Sequence, residues 1–141
     1  MIKRIFDFSS SLLGLVILFP LLILISFAIK IGSSGPILFS QKRVGKDGKQ
    51  FILIKFRSMM INQQSNNTAT SKGDDRITTT GVFLRKYKLD ELPELWNVLK
   101  GEMSLVGPRP DVPGYADNLK GEDRRILELR PGITGMASLK Y

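Results

Sequence analysis

The apolar residues of this chain are unevenly placed. Between Asp7 and Lys30 run 22 residues without a charge, FSSSLLGLVILFPLLILISFAI. As a helix rising about 1.5 Å per residue, such a run matches the roughly 30 Å hydrocarbon core of a bilayer. It is longer than the apolar core of a signal peptide and no small-residue cleavage site follows it, so a membrane-associated helix is expected. Pro20 falls near its centre, where it removes a backbone hydrogen bond and clashes with the preceding turn. A kink is predicted there, with Ser9, Ser10 or Ser11 within reach of the freed carbonyl. Lys3 and Arg4 precede the segment and Lys30, Lys42 and Arg43 follow it, so the positive-inside rule draws both flanks to the cytoplasmic side. A helix broken at Pro20 that re-enters on the same side satisfies both flanks; an ordinary kinked span is the alternative.

Beyond this segment the pattern shortens. GSSGP, from Gly32 to Pro36, breaks the helix with turn-forming residues. ILFSQKRVGKDGKQFILIKFRSM then reads as two extended runs around Asp47-Gly48, a strong hairpin signal. The stretch from Asn62 to Asp75 is polar, lacks aromatic residues and reads as a mobile surface loop. Gly81 to Leu89 forms a short basic amphipathic element suited to a membrane face. Leu92, Leu95, Trp96 and Leu99 then recur at helical spacing and predict one apolar helix face. Pro93 is tolerated only in the first turn, which sets the helix start near Asp90 or Glu91, and Gly101 supplies a stop. A further helix is predicted from about Tyr115 to Leu129, ended by Arg130-Pro131-Gly132. The expected fold class is α+β, mainly helical. It comprises a Pro-kinked re-entrant membrane helix over residues 1–31 and a small cytoplasmic domain over residues 32–141, with a β-hairpin and interfacial amphipathic helices.

Charge narrows the partners. With 21 basic and 13 acidic side chains the chain carries a net charge of +8, which suits nucleic acid, an acidic membrane surface or phosphorylated substrates. Nucleic acid fits least, because the cations are not interleaved with aromatic residues and a membrane segment would be out of place. Six cations fall in the 16 residues from Lys42 to Arg57; for the individual lysines a solvated strand face is the simpler reading. The sequence contains neither cysteine nor histidine. Disulfides, thiolate metal sites and cysteine nucleophiles are excluded, and acid–base work falls to Asp, Glu, Lys or Tyr.

One stretch combines these features: KYKLDELPELWNVLKGEMSLVGPRP, from Lys86 to Pro110. Asp90 at the start of a helix has a simple explanation as an N-cap, contributing about 1 kcal/mol. The alternatives are chemical. A helix N-terminus favours anions, Arg85 and Arg109 flank the acidic pair, and two arginines hold phosphate oxygens bidentately. A carboxylate there could act as a nucleophile toward phosphorus or as a magnesium ligand.

Three blocks resemble the bacterial sugar transferases, the monotopic polyprenyl-phosphate phosphoglycosyl transferases that initiate surface-glycan assembly (exopolysaccharide, capsule or lipopolysaccharide). They are SSGPILFSQKRVGKDGKQFILIKFRSM, DDRITTTGVFLRKYKLDELPELWNVLKGEMSLVGPRP and RPGITGMASL, and the resemblance runs from Lys3 to Tyr141. It implies a UDP-sugar bound with Mg2+ at the cytoplasmic face of the bacterial inner membrane. Asp90 would attack the sugar-bearing phosphate, release UMP and pass the phosphosugar to polyprenyl (undecaprenyl) phosphate. Glu91 is the second member of the implied Asp-Glu dyad and, with Asp90, the implied metal ligand. By the same match Arg85 and Arg109 hold phosphates, Lys55, Arg57, Gln41 and Arg43 lie in substrate-binding motifs, and Pro20 marks the membrane-helix break. Two departures stand out: Phe19 precedes Pro20 where relatives often carry Ser, and the chain stops shortly after RPGITG where relatives continue. The rival expectation is an impaired or truncated membrane-anchored member acting as a binding or scaffold protein. No residue is recognisable as reading the sugar ring, and the oligomeric state is left open.

Overall fold

The computed structural model describes residues 1–60 and 76–135. The polar loop expected between Asn62 and Asp75 lies outside them, as does the end of the RPGITGMASL block. In chain order the elements are α1 (Ile2–Gly32), an antiparallel hairpin of β1 (Leu38–Val44) and β2 (Gln50–Phe56), α2 (Thr79–Lys86), α3 (Glu94–Lys100), and a parallel pair of short strands, β3 (Ser104–Val106) and β4 (Gly132–Thr134). A 3-10 turn at Leu89–Glu91 joins α2 to α3, and two more, Ala116–Asn118 and Gly121–Glu128, lie between β3 and β4. The α+β class and the hairpin match expectation: Asp47 and Gly48 both take positive φ at its tip (58° and 74°), the conformation that Asp-Gly adopts most easily.

Two expectations are corrected. First, α1 continues through Pro20 as one uninterrupted helix, where the sequence pointed to a break. Ser11 donates to the Phe8 carbonyl at 3.0 Å rather than to a carbonyl freed by Pro20. The reason is packing on both sides of the proline. Arg4, Asp7, Ser11, Gly14, Leu18, Leu21, Ile25 and Ile29 form one half-buried to buried stripe, while Pro20 sits on the exposed face. Gly14 lies against Leu95, and Ile25 and Ile29 join Phe56 and Leu84 in a core cluster. Each buried isoleucine contributes roughly 1.5–3 kcal/mol, enough to outweigh one lost helical hydrogen bond. Second, the helix predicted from about Tyr115 to Leu129 is two 3-10 segments instead. Gly121 at φ +62° is left-handed and cannot continue a helix. Arg130-Pro131-Gly132 does not simply end an element, because Gly132 begins β4.

Polar contacts tie α1 to the rest of the chain near its N-terminus. Arg4 donates to the Val98 and Leu99 carbonyls at 2.6 and 2.8 Å, capping the C-terminus of α3, where a cation is favoured. Asp7, only 3% exposed, accepts from Ser104 Oγ (2.8 Å) and Leu105 N (3.2 Å). At its C-terminal end Gly32 abuts Thr80 of α2. Both ends of the long helix are therefore held on one body. The outer face is different: only 11% of the most apolar window of α1 is buried, and Leu13, Val16, Ile17, Phe19, Leu24 and Phe27 are exposed.

The predicted apolar face of α3 is also only half the story. Leu92 and Leu95 do turn toward α1, but the residues most deeply buried are Glu94, Asn97 and Val98. Helix α3 is sandwiched, with α1 on one side and the hairpin on the other. Asn97 makes the second junction: Nδ2 donates to the Ile52 carbonyl and to Glu102 Oε2, both at 2.7 Å, and Oδ1 accepts from Ile54 N at 3.1 Å. It occupies the free edge of β2 as a third strand would.

Candidate active site

Hairpin register decides which cations face inward. Gln41 pairs with Leu53, Arg43 with Phe51 and Phe39 with Lys55. Residues directly opposite on antiparallel strands share a face, so Gln41, Arg43, Leu53 and Lys55 point the same way, while Lys42 lies on the other face and is exposed. The inward face meets the start of α3 and the Val106–Pro110 turn. Between them lies a small open cleft, lined by Arg43, Lys55, Glu91, Glu94, Arg109 and Gly132 among others.

The turn that carries Arg109 is set by close backbone approach. Gly107 N donates to the Thr134 carbonyl (2.9 Å) and Gly132 N to the Pro108 carbonyl (2.8 Å). A Cβ at Gly132 would collide with Gly107, and one at Gly107 with the Arg130 carbonyl. Arg109 itself is 68% exposed, with Nη2 at 3.7 Å from Glu91 Oε1, so the pair is loose and the guanidinium is free to meet a ligand.

The acidic pair is presented by an unusual backbone. Lys88, at φ 56°, is a non-glycine residue in the left-handed region, which bends the chain from α2 into the 3-10 turn bearing Asp90 and Glu91. Of the two sequence readings for Asp90, the cap is not what the geometry displays. Helix α3 starts at Glu94 with Pro93 at its N-cap, the 3-10 turn has Lys88 at its own, and neither cap residue makes a side-chain cap bond. Asp90 is 6% exposed, and its Oδ1 is buried with no hydrogen-bond partner. A buried carboxylate oxygen without a donor is costly and calls for an explanation such as a missing ligand.

The charge of Asp90 reaches Lys55. Desolvation lowers the Lys55 pKa, and the charges of Asp90 and Glu94 oppose that shift. Desolvation also lowers the Arg43 pKa, and Arg109 adds to the effect. Arg43 donates to the Pro110 carbonyl (3.0 Å) and to Gln41 Oε1 (2.8 Å), while its Nε is buried without a partner. Gln41 thus acts by holding Arg43. Arg85 points from α2 toward the same region, with Nε donating to Ser58 Oγ at 2.9 Å. Arg57 stands apart: its guanidinium is bound by the Ser33 and Ser34 carbonyls and by Ser33 Oγ just beyond α1, and it does not line the cleft. Among the described residues no cluster of three or more metal-ligating side chains occurs; Asp90 and Glu91 supply two carboxylates.

Sequence reading missed Glu94. It is 5% exposed and lines the cleft between Lys55 and Arg109. Its pKa is pushed up to about 8, first by burial and then by Glu91, with Lys55 and Arg109 opposing. It sits on the helix face that apolar periodicity marks as solvent. The available signal was the spacing Asp90, Glu94, Asn97, a polar face at i, i+4, i+7. A carboxyl whose pKa is raised on folding stabilises the fold fully below its unfolded value near 4.5 and loses that contribution as pH climbs through about 8. Urea midpoints of the wild type, measured without added divalent cation, are therefore expected to fall between about pH 5 and 8. Those of Glu94→Gln are expected to be flatter across that window, and parallel profiles would contradict the assignment.

Against known proteins, a family profile described as "Bacterial sugar transferase" matches residues 1–141. The chain is 42% identical over 147 residues to "Exopolysaccharide production protein PSS" of Rhizobium leguminosarum bv. phaseoli, covering 99% of this chain and 74% of the relative. It is 41% identical over 142 residues to a "UDP-glucose:undecaprenyl-phosphate glucose-1-phosphate transferase" of Caulobacter vibrioides, covering 98% and 53%. It is 43% identical over 145 residues to the "Undecaprenyl-phosphate glucose phosphotransferase" of Komagataeibacter xylinus, covering 97% of this chain but only 27% of that protein. Matching along its whole length, the chain belongs to the bacterial sugar transferase family.

Proposed function

We propose that this chain transfers a phospho-sugar from a UDP-sugar to polyprenyl phosphate through a covalent aspartyl intermediate, releasing UMP. The observation that carries this reading is Asp90: a buried carboxylate with an unpartnered oxygen, beside a cleft whose cations are Lys55, Arg43 and Arg109. Relatives whose names include undecaprenyl-phosphate and UDP-glucose give the substrate classes. An Asp90 oxygen attacks the sugar-bearing phosphorus, the bond from that phosphorus to the bridging oxygen breaks, and UMP leaves with the electron pair. A phosphate oxygen of the polyprenyl carrier then attacks the same phosphorus and returns Asp90 to its free carboxylate. Lys55, Arg109 and Arg85 neutralise the charge on the phosphoryl oxygens, and Arg43 is braced by Gln41 and Pro110 to do the same.

A divalent cation fits this site. Mg2+ commonly takes one or two protein carboxylates and completes its shell with water and substrate phosphates, so Asp90 and Glu91 suffice. Bound there, it would supply charge neutralisation for the diphosphate. The test is UMP release from a panel of UDP-sugars, with and without Mg2+ and polyprenyl phosphate. Label from the sugar phosphate is expected on the protein when the lipid is withheld. Turnover without any labelled protein would remove the covalent intermediate.

The membrane placement follows from α1. Its exposed apolar face suits a hydrocarbon partner, and the docking of both its ends on the same body supports the reading of insertion from one side; basic residues on both flanks favour the cytoplasmic face for that side. Cysteines introduced as Ile2→Cys and Ser34→Cys are expected to react with an impermeant thiol reagent from the same side. Labelling from opposite sides would mean a spanning helix.

A further inference from the structure

Arg109 walls two clefts. The second is a shallow, partly open concavity across the Pro108–Asp111 turn from the first, between the end of the hairpin and the Gly121–Glu128 segment. Its chemistry is opposite. Among the described residues the first cleft gathers three cations and two carboxylates; the second is walled by Ile126, Leu129, Pro108 and Pro131, with Arg109 and Asp111 its only charged groups among those residues. Ile126 and Leu129 remain 43% and 59% exposed at its lip, apolar surface that a ligand would cover. Asp111 is anchored through its backbone, its carbonyl accepting from Val44 N at 2.9 Å.

We propose that this second cleft is the nucleoside subsite of the donor, with the base against Ile126, Leu129 and Pro131 and the ribose 2′-hydroxyl donating to the Asp111 carboxylate. The proposal rests on the phosphotransfer reading above, because that reading orders the donor. The sugar-bearing phosphorus must meet Asp90, which adjoins Glu91 at the wall of the first cleft. The nucleoside end then leaves past Arg109, and the next space is the second cleft. The lining agrees. A pyrimidine has apolar faces and few polar edges, whereas a hexose would leave several hydroxyls unpaired against isoleucine, leucine and proline. A carboxylate accepts only, and its charge repels phosphate, so the part of the donor it meets is neutral and carries donors, as ribose is and does.

Binding to the full chain in detergent, followed by calorimetry, separates the possibilities. The probes are UMP, 2′-deoxy-UMP and ribose 5-phosphate. Wild-type protein is expected to prefer UMP over 2′-deoxy-UMP by about tenfold, the scale of one hydrogen bond to a charged group. Asp111→Ala is expected to weaken UMP by about tenfold and leave 2′-deoxy-UMP unchanged, which also shows that the variant is folded. Ile126→Ser is expected to weaken both nucleotides and spare ribose 5-phosphate. No measurable UMP binding by the wild type, or an unchanged UMP to 2′-deoxy-UMP ratio in Asp111→Ala, overturns the assignment. So does an Asp111→Ala effect confined to the choice between UDP-glucose and UDP-galactose, since the cleft would then hold the sugar. These measurements need no turnover. UMP release by the wild type with no Asp111 effect would leave the reaction standing and remove the subsite, and the converse result would do the opposite.

Discussion

Asp90→Asn is expected to abolish both UMP release and labelling of the protein, by at least about 10^3-fold, because an amide cannot serve as the nucleophile toward phosphorus. The same substitution should leave the fold intact or make it more stable. The Asp90 side chain makes no hydrogen bond among the described residues, its Oδ1 is buried and unpartnered, and removing a buried charge relieves a desolvation penalty that the attraction of Lys55 offsets only in part. The two readouts together are diagnostic: activity lost with the thermal midpoint held or raised identifies a residue retained for chemistry. Loss of both would mean that Asp90 is structural, and adduct formation at the wild-type rate would place the nucleophile elsewhere. Glu91→Gln is a useful companion. Glu91 faces Arg109 at 3.7 Å, so its loss should weaken divalent-cation dependence without transferring the nucleophile's role.

Asn97→Ala is expected to produce the largest loss of stability, about 2–4 kcal/mol, from a residue that touches no substrate. Its amide satisfies the Ile52 carbonyl and the Ile54 N–H on the otherwise open edge of β2, and it also holds Glu102. Truncation orphans the two backbone groups in a place where Asn97 is fully buried. Asn97→Asp separates hydrogen bonding from packing. It keeps the acceptor for Ile54, loses the donor to Ile52 and sets a carboxylate against Glu102, so it should be destabilising despite its nearly identical volume. A drop in urea midpoint at unchanged slope is the measurement. A penalty below about 1 kcal/mol for both variants would mean that water replaces the clamp. The consequence reaches the site, because Asn97 joins the strand carrying Lys55 to the helix that follows Asp90 and Glu91. Loosening this joint should raise the donor KM.

Parts of this architecture were legible because their causes are local. Asp47-Gly48 announces its hairpin because those two residues adopt positive φ with little strain. Gly101 ends α3 because it readily takes φ +89°, whereas the start expected near Asp90 or Glu91 is displaced to Glu94, because Leu89–Glu91 forms a separate 3-10 turn and Pro93 stands at the N-cap. The uncharged run from Phe8 to Ile29 announces its helix by composition alone. The parallel pairing of β3 with β4 leaves no such trace: each strand has three residues, and what joins them is the approach of Gly107 to Gly132 across a long sequence separation. The predicted helix near residues 115–129 failed on a backbone conformation, Gly121 at φ +62°, that tertiary context selects.

By itself the sequence determined the chemical inventory. Acid–base work falls to Asp, Glu, Lys or Tyr where Cys and His are missing, the acidic pair is bracketed by Arg85 and Arg109, and one apolar segment needs somewhere nonaqueous to lie. Tertiary structure alone decided which members of that inventory meet. Arg57 and Lys55 are two residues apart and look equivalent as phosphate ligands. Yet Lys55 lies on the inward face of β2, while Arg57, just past the strand, turns back to the Ser33 and Ser34 carbonyls beyond α1. Glu94 looks like a solvent-facing helix residue, yet it is buried because α3 is covered on both sides. The physical reason is the same in each case. Charge and periodicity are properties of a residue and its near neighbours, whereas burial and pairing depend on which distant backbone arrives opposite. In this chain that was decided by α1 docking along α2 and α3, by the Asn97 clamp on β2 and by the close glycine contact beneath Arg109.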